Sequence, residues 1–199
     1  ERGVLTYIPL PGEDPVTACV VAPRHATVIT LAGDVEAGTT VEHLVFRGLT
    51  LAHNGWNVPA EGYSYAQAEA PIIGTFTARN ARHVRVERCT VRHTGTYAVD
   101  FGNGCRDCVV DNCELFDLGA GGVKIGVAWK GEEDPRNYAY ACTVRETLIA
   151  YGGRVHPAGV GVWIGHAASN TVAHNTIHDL YYSGVSAGWK WCFGPNPAC

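Results

Sequence analysis

The sequence predicts an all-β chain, a right-handed parallel β-helix (β-solenoid) whose coils of about 24 residues carry loop insertions. Three observations predict it. An eight-residue segment recurs with its apolar positions aligned at 84–91, 108–115, 142–149 and 170–177. The 24 glycines and 10 prolines are spread over the whole length, so turns are frequent and the elements between them short. Helical periodicity is weak throughout, and so short a repeat has no room for a crossover helix.

In chain order, the first coil is 44–51, which fits the repeat template and is followed by a long insertion from Asn54 to about Gln67. Each of the four later segments holds an anchor residue, Cys89, Cys113, Thr147 or Asn175. An apolar residue stands three places before each anchor (Val86, Val110, Val144, Val172) and another two places after it (Val91, Leu115, Ile149, Ile177). Every segment then passes through turn residues into a second short strand, at 98–102, 122–126, 161–165 and 184–188, giving two or three short strands per coil. Anchor spacings of 24, 34 and 28 residues place a ten-residue insertion near 129–138 and a four-residue one near 154–157. Insertions that leave the repeat intact are loops.

The anchor column has a structural reading. Stacked Asn or Thr side chains hydrogen-bond along the solenoid axis and satisfy turn backbone groups, while Cys serves as a small hydrophobe. The repeat also sets Cys89 over Cys113 and Cys108 over Cys142, roughly 4.8 Å apart in neighbouring coils. Core packing accounts for these pairs, although a disulfide between stacked cysteines is sterically conceivable. Cys105-x-x-Cys108 without a second pair is a weak zinc signal, and no metal or cofactor is expected.

Composition narrows the function. With 46% hydrophobic and 17% charged residues the 199-residue chain can bury one continuous core, so a single β-helix unit over 1–199 is expected. A net charge of −4 and a pI near 6.1 lack the basic footprint of a nucleic-acid binder, and no run of about 18 apolar residues offers a membrane span. The chain opens Glu1-Arg2-Gly3-Val4 and contains no methionine, so it is expected to be a piece of a longer protein. Its eight cysteines fall below the density of a disulfide-dependent mini-domain and leave the redox compartment open.

Stacking turns each outward strand position into a ladder with rungs about 5 Å apart. The outward position of the second strand reads Asp100, Lys124, Trp163, Ser186. Such a mixture suits a polysaccharide, because sugar rings stack on Trp and their hydroxyls pair with charged groups. It equally suits a solvated face with an Asp100–Lys124 ion pair. Beside this ladder, Gly165-His166, residues 178–184 and residues 188–191 set His, Asp and aromatic side chains at turns. Asp117 stands in the matching turn column two repeats earlier, where an Asp also serves as a turn-former.

The runs 116–126, 159–166 and 174–184, together with Gly3 to Tyr7 and Pro11 to Asp14, resemble the right-handed parallel β-helix proteins of glycoside hydrolase family 141. That resemblance covers nearly the whole chain. It implies a secreted or periplasmic enzyme acting on plant cell-wall glycans, with α-L-fucosidase- or xylanase-like activity, and a polysaccharide or oligosaccharide as partner. It also implies further coils before and after this segment, one of them downstream carrying another carboxylate. Asp100 departs from the family's pattern, in which bulky apolar residues are commoner at its position.

A glycosidase needs two carboxyl groups. Asp179 is the expected catalytic residue, with Lys124, Trp163, His166, His178, Tyr182 and Trp189 lining the sugar sites and the second acid expected in the downstream coil. Carboxylates one coil apart, at about 5 Å, would suit retention; two coils apart, at about 9.6 Å, they would suit inversion. Two alternatives stand beside the hydrolase: a non-catalytic glycan-binding or fibre segment using the same ladder, and a polysaccharide lyase with Lys124 as base. The oligomeric state cannot be read from the sequence.

Overall fold

The computed structural model describes residue 4, residues 6–128 and residues 134–189. Among the described residues every regular element is a strand except two single 3-10 turns, Gln67–Glu69 and Pro135–Asn137. All named strands pair in parallel, each with the strand one coil before or after it. Successive strands of a sheet are therefore joined by a crossover through the rest of the coil, the connection that is right-handed in nearly all proteins.

The first sheet stacks Ile29–Ala32, Gly74–Arg79, Tyr97–Phe101, Val123–Ile125, Val162–Ile164 and Val185–Ala187. The second consists of two-residue strands, Val41–Glu42 on Ala81–Arg82 and Ala139–Tyr140 on Ala167–Ala168, bridged through Arg106. The third holds Val45–Arg47, Arg85–Glu87, Val109–Asp111, Thr143–Arg145 and Thr171–Ala173. The fourth holds Thr50–Ala52, Thr90–Thr94, Glu114–Leu118, Leu148–Ala150 and Thr176–His178. A coil thus has four short runs rather than the two or three expected. The extra run is too brief to leave a periodic trace in sequence.

Three corners are turned by a single left-handed residue, repeated in every coil. His43, His83, Asp107, Ala141 and Ser169 stand between the second and third sheets, and Gly48, Arg88, Asn112, Glu146 and His174 between the third and fourth. After the fourth sheet come His53, His93, Asp117, Tyr151 and Asp179. One left-handed residue redirects the chain without an extra loop, and the enrichment of Asn, Asp and His here matches the side chains that tolerate it best.

The expected core column is present: Phe46, Val86, Val110, Val144 and Val172 lie in register across the third sheet. The three middle valines are buried, and Val172 in the fifth coil is half-buried. Leu51, Val91, Leu115, Ile149 and Ile177 form the corresponding column of the fourth sheet.

Each anchor immediately follows a left-handed corner residue, and its side chain repairs the ladder there. Asn175 does so twice, its Oδ1 accepting from Thr147 N at 3.0 Å and its Nδ2 donating to Val144 O at 2.9 Å. Thr147 Oγ1 accepts from Cys113 N at 3.3 Å, and the Cys113 and Cys89 thiols donate to Val86 O and Phe46 O at 3.4 Å each. The stacked thiols are free, and burial pushes that of Cys113 up to about 11, as suits an inert core residue.

The insertions fall where expected. Residues 53–73 separate the first coil's fourth-sheet strand from Gly74–Arg79; 126–138 follow Val123–Ile125, their part at 129–133 lying outside the described residues; 151–161 follow Leu148–Ala150.

Replacing Asn175 by Ala removes both bridging bonds and leaves Thr147 N and Val144 O unsatisfied. It should cost about 1–3 kcal/mol, read as a lower thermal midpoint. Asn175→Thr should recover part of that loss, because Thr147 already fills this position one coil earlier. A midpoint for Asn175→Ala equal to wild type would show that the anchor bonds do not stabilise the stack.

Candidate functional site

The outward column of the first sheet has the expected register, Thr77, Asp100, Lys124, Trp163, Ser186. Its environment corrects the expectation of an open face. Asp100 is 1% exposed, Lys124 5% and Trp163 0%. The cover is the insertion at 53–73, which crosses this face as a strap, so a β-strand position that faces away from the coil's own core faces a second interior instead.

The strap is pinned by polar contacts along its course. Asn54 at its start donates to Thr96 Oγ1 and to Ala26 O, both at 2.7 Å. Lys124 Nζ donates to Ala70 O at 2.6 Å and Ile72 O at 2.9 Å, and lies 3.9 Å from Asp100 Oδ2. Burial lowers the Lys124 pKa while Asp100 opposes the shift. The ammonium also stands 5.5 Å from the ring centres of Tyr97 and Trp163, within cation–π range. Asp100 in turn accepts from Arg79 Nη2 at 2.8 Å. Trp163 packs on Ala68 and Val160, with half-buried Trp189 at its edge, ring centres 5.5 Å apart.

Beneath the strap lies a carboxyl that the repeat analysis did not single out. Glu69 is fully buried and accepts from Tyr63 Oη at 2.5 Å; its Oε2 is 3.8 Å from Nδ1 of the equally buried His156. His156 sits edge-on to Trp56 and Tyr63, with ring centres 4.5 and 5.7 Å away. Burial raises the Glu69 pKa, against the Tyr63 hydrogen bond, and burial lowers that of His156. Both shifts favour the neutral forms. Sequence reasoning missed this pair because each partner lies on an insertion, outside every repeat column.

A concavity open to solvent lies at the corner after the fourth sheet. Tyr151, Arg154, Asp179, Leu180 and Tyr181 line a cleft of about 370 Å³. His178 Nδ1 is 2.6 Å from Asp179 Oδ2, and the His178 and Tyr151 rings meet edge to face at 5.6 Å. In the same corner column, His93 Nδ1 is 2.6 Å from Asp117 Oδ2, with Arg154 Nε 3.7 Å from Asp117 Oδ1. The charged shelf on the third sheet is a self-paired ladder instead, with Arg47 on Glu87 and Arg145 on Asp111 at 2.5 and 2.7 Å.

The structure therefore divides the residues expected to line one sugar site. Asp179, His178 and Tyr182 are exposed at the corner, though Tyr181 rather than Tyr182 walls the cleft. Lys124 and Trp163 lie under the strap. His166 is buried beside the Tyr138 ring at 5.9 Å, because Gly165-His166 turns the chain inward to the second sheet. Trp189 Nε1 donates to Ser186 Oγ at 3.0 Å, and Lys190-Trp191 lie outside the described residues.

A family model described as "Right handed beta helix region" matches residues 74–188, more than half of the chain. No match was found to a curated protein or to a solved structure.

The Glu69 shift fixes the sign of a pH effect. The native state keeps a proton that the unfolded chain releases above about 4.5, so this group lowers stability as pH rises from there to its raised native value. His156 acts oppositely below its ordinary 6.5, where the unfolded chain takes up a proton that the native state resists. Glu69→Gln removes only the first effect. Its thermal midpoint relative to wild type should rise between about pH 4 and pH 8, and a flat difference would show that Glu69 ionises freely where it is.

Proposed function

The chain belongs to the right-handed β-helix family, and from that premise we propose that it is a carbohydrate-active member, a glycoside hydrolase of plant cell-wall polysaccharides with its substrate along the corner cleft at Asp179. The observation that carries this reading is the cleft itself. Two exposed tyrosines offer ring faces to sugars, and Arg154, His178 and Asp179 offer hydrogen bonds to hydroxyls. Asp179 is the catalytic carboxylate of this reading. Asp117, two coils away in the same column, supplies a second at roughly 9.6 Å, the wide separation of an inverting mechanism. In that mechanism one carboxyl protonates the leaving oxygen and the other activates water on the opposite face of the ring. An α-L-fucosidase- or xylanase-like specificity and a secreted or periplasmic location follow from the resemblance to glycoside hydrolase family 141.

A second reading, glycan binding without hydrolysis, is favoured by one observation. Asp117 and Asp179 occupy a left-handed corner position that His and Tyr fill in other coils, so turn geometry alone accounts for an Asp there. A lyase is disfavoured, because Lys124 is buried with its ammonium committed to two carbonyls.

Asp179→Asn should lower kcat on aryl xylosides, aryl fucosides or cell-wall glycans by about 10²–10⁴-fold while leaving oligosaccharide affinity within about threefold. Tyr181→Ala should instead weaken binding by roughly 1 kcal/mol. Turnover by Asp179→Asn at the wild-type rate would reduce Asp179 to a turn-former. Binding without any turnover by the wild-type chain would favour the second reading.

A further inference from the structure

Glu69 Oε1, Asp100 Oδ1, both ring nitrogens of His156 and Trp163 Nε1 are buried without a hydrogen-bond partner among the described residues. Each such atom loses its bonds to water and gains none in return, and native proteins hold few of them. Here they gather under one segment. The contacts are continuous, from His156 to Glu69, through Ala68 to Tyr97 and Trp163, and on to Lys124 and Asp100.

The same segment stores backbone strain. Ala68 and Glu69 are successive non-glycine residues with φ of 54° and 50°. Single left-handed residues recur at three corners of each coil, but two in a row with no repeat column to impose them are costly. The strap is thus held down by Lys124, Tyr97 and Asn54 against strain and unsatisfied polar groups, the balance expected of an element with a second, open position.

We propose that the strap can lift from the first sheet, and that the face it covers is a second, gated binding site for a neutral polyhydroxylated ligand, a sugar ring with hydroxyls on its rim and an apolar face. Chemistry selects the class. The orphaned atoms include acceptors on Glu69 and Asp100 and a donor on Trp163, and a hydroxyl answers both kinds. Trp56, Tyr63 and Trp163 supply ring surfaces. The Asp100 carboxyl opposes an anion, and Lys124 with Arg79 opposes a cation. The site shares its ligand class with the corner cleft but none of its residues, so either can fail without the other.

The test is hydrogen exchange across residues 54–73 in the intact protein, with and without saturating xylohexaose, beside calorimetric titration of wild type, Glu69→Gln, Trp163→Phe and Tyr181→Ala. Xylohexaose should change strap exchange, and Glu69→Gln and Trp163→Phe should each lower affinity about 3–10-fold, the loss expected for one hydrogen bond. Tyr181→Ala should keep the strap response, and oligogalacturonate of equal length should not elicit it. Should Trp163→Phe fail to fold, the isosteric Glu69→Gln carries the comparison. Strap exchange unchanged by bound xylohexaose, or wild-type affinity in the folded variants, would overturn the proposal in favour of buried water as the missing partner. Loss of the strap response in Tyr181→Ala, or no xylohexaose binding at all, would also overturn it.

Discussion

Everything in this molecule depends on parallel stacking. The strands are two to six residues long, too short to be stable singly, and each finds its backbone partners only in the coils before and after it. Register is therefore not negotiable: a slip of one residue would turn Val86, Val110 and Val144 outward together. The corners are where stacking is weakest, since a left-handed residue rotates its neighbours' amides away from the ladder. The anchor column sits one residue beyond that point, and Asn175, Thr147 and the stacked thiols return the lost bonds through side chains.

The same constraint decides where variety is tolerated. A strand cannot lengthen without breaking its neighbours' register, but the connection between sheets can. The longest described insertion, between the fourth and first sheets of the first coil, folds back over the first sheet and converts its outer face into an interface. Polar rungs such as Lys124 are then kept buried only because strap carbonyls accept from them. Asp100 is retained by the same logic, through Arg79.

What the sequence made legible was the set of columns, because stacking forces one physical character on each. The valine column, the anchors, the Asp100–Lys124–Trp163–Ser186 register and the sites of insertion could all be read in one dimension. Burial of that outward column could not. A column records which residues lie above one another, and nothing about what lies over the face. Glu69 and His156 were hidden for the related reason that contacts between two insertions obey no period. The two-residue strands of the second sheet escaped notice because so short a run carries no alternation.

Among the described residues, the repeat by itself builds only the charged, self-paired shelf on the third sheet, lined by residues such as Arg47, Glu87 and Asp111. The solenoid's interior is filled by one side chain per column per coil, so the aromatic-walled cleft is built by an insertion leaning on a corner. The loop at 151–161 serves both the corner cleft and the buried interface under the strap. Its Tyr151 and Arg154 border the corner cleft, and its His156 reaches Glu69 beneath the strap. The loop is nailed to the coil before it, with Gly153 N bonded to Ala120 O at 2.6 Å and Val155 N and His156 N to Gly119 O at 2.9 and 2.7 Å. A wall so fixed leaves the strap as the part able to move: its central stretch is held chiefly by side-chain bonds from Lys124 and Tyr97, which can exchange for hydroxyls or water without unstacking a coil.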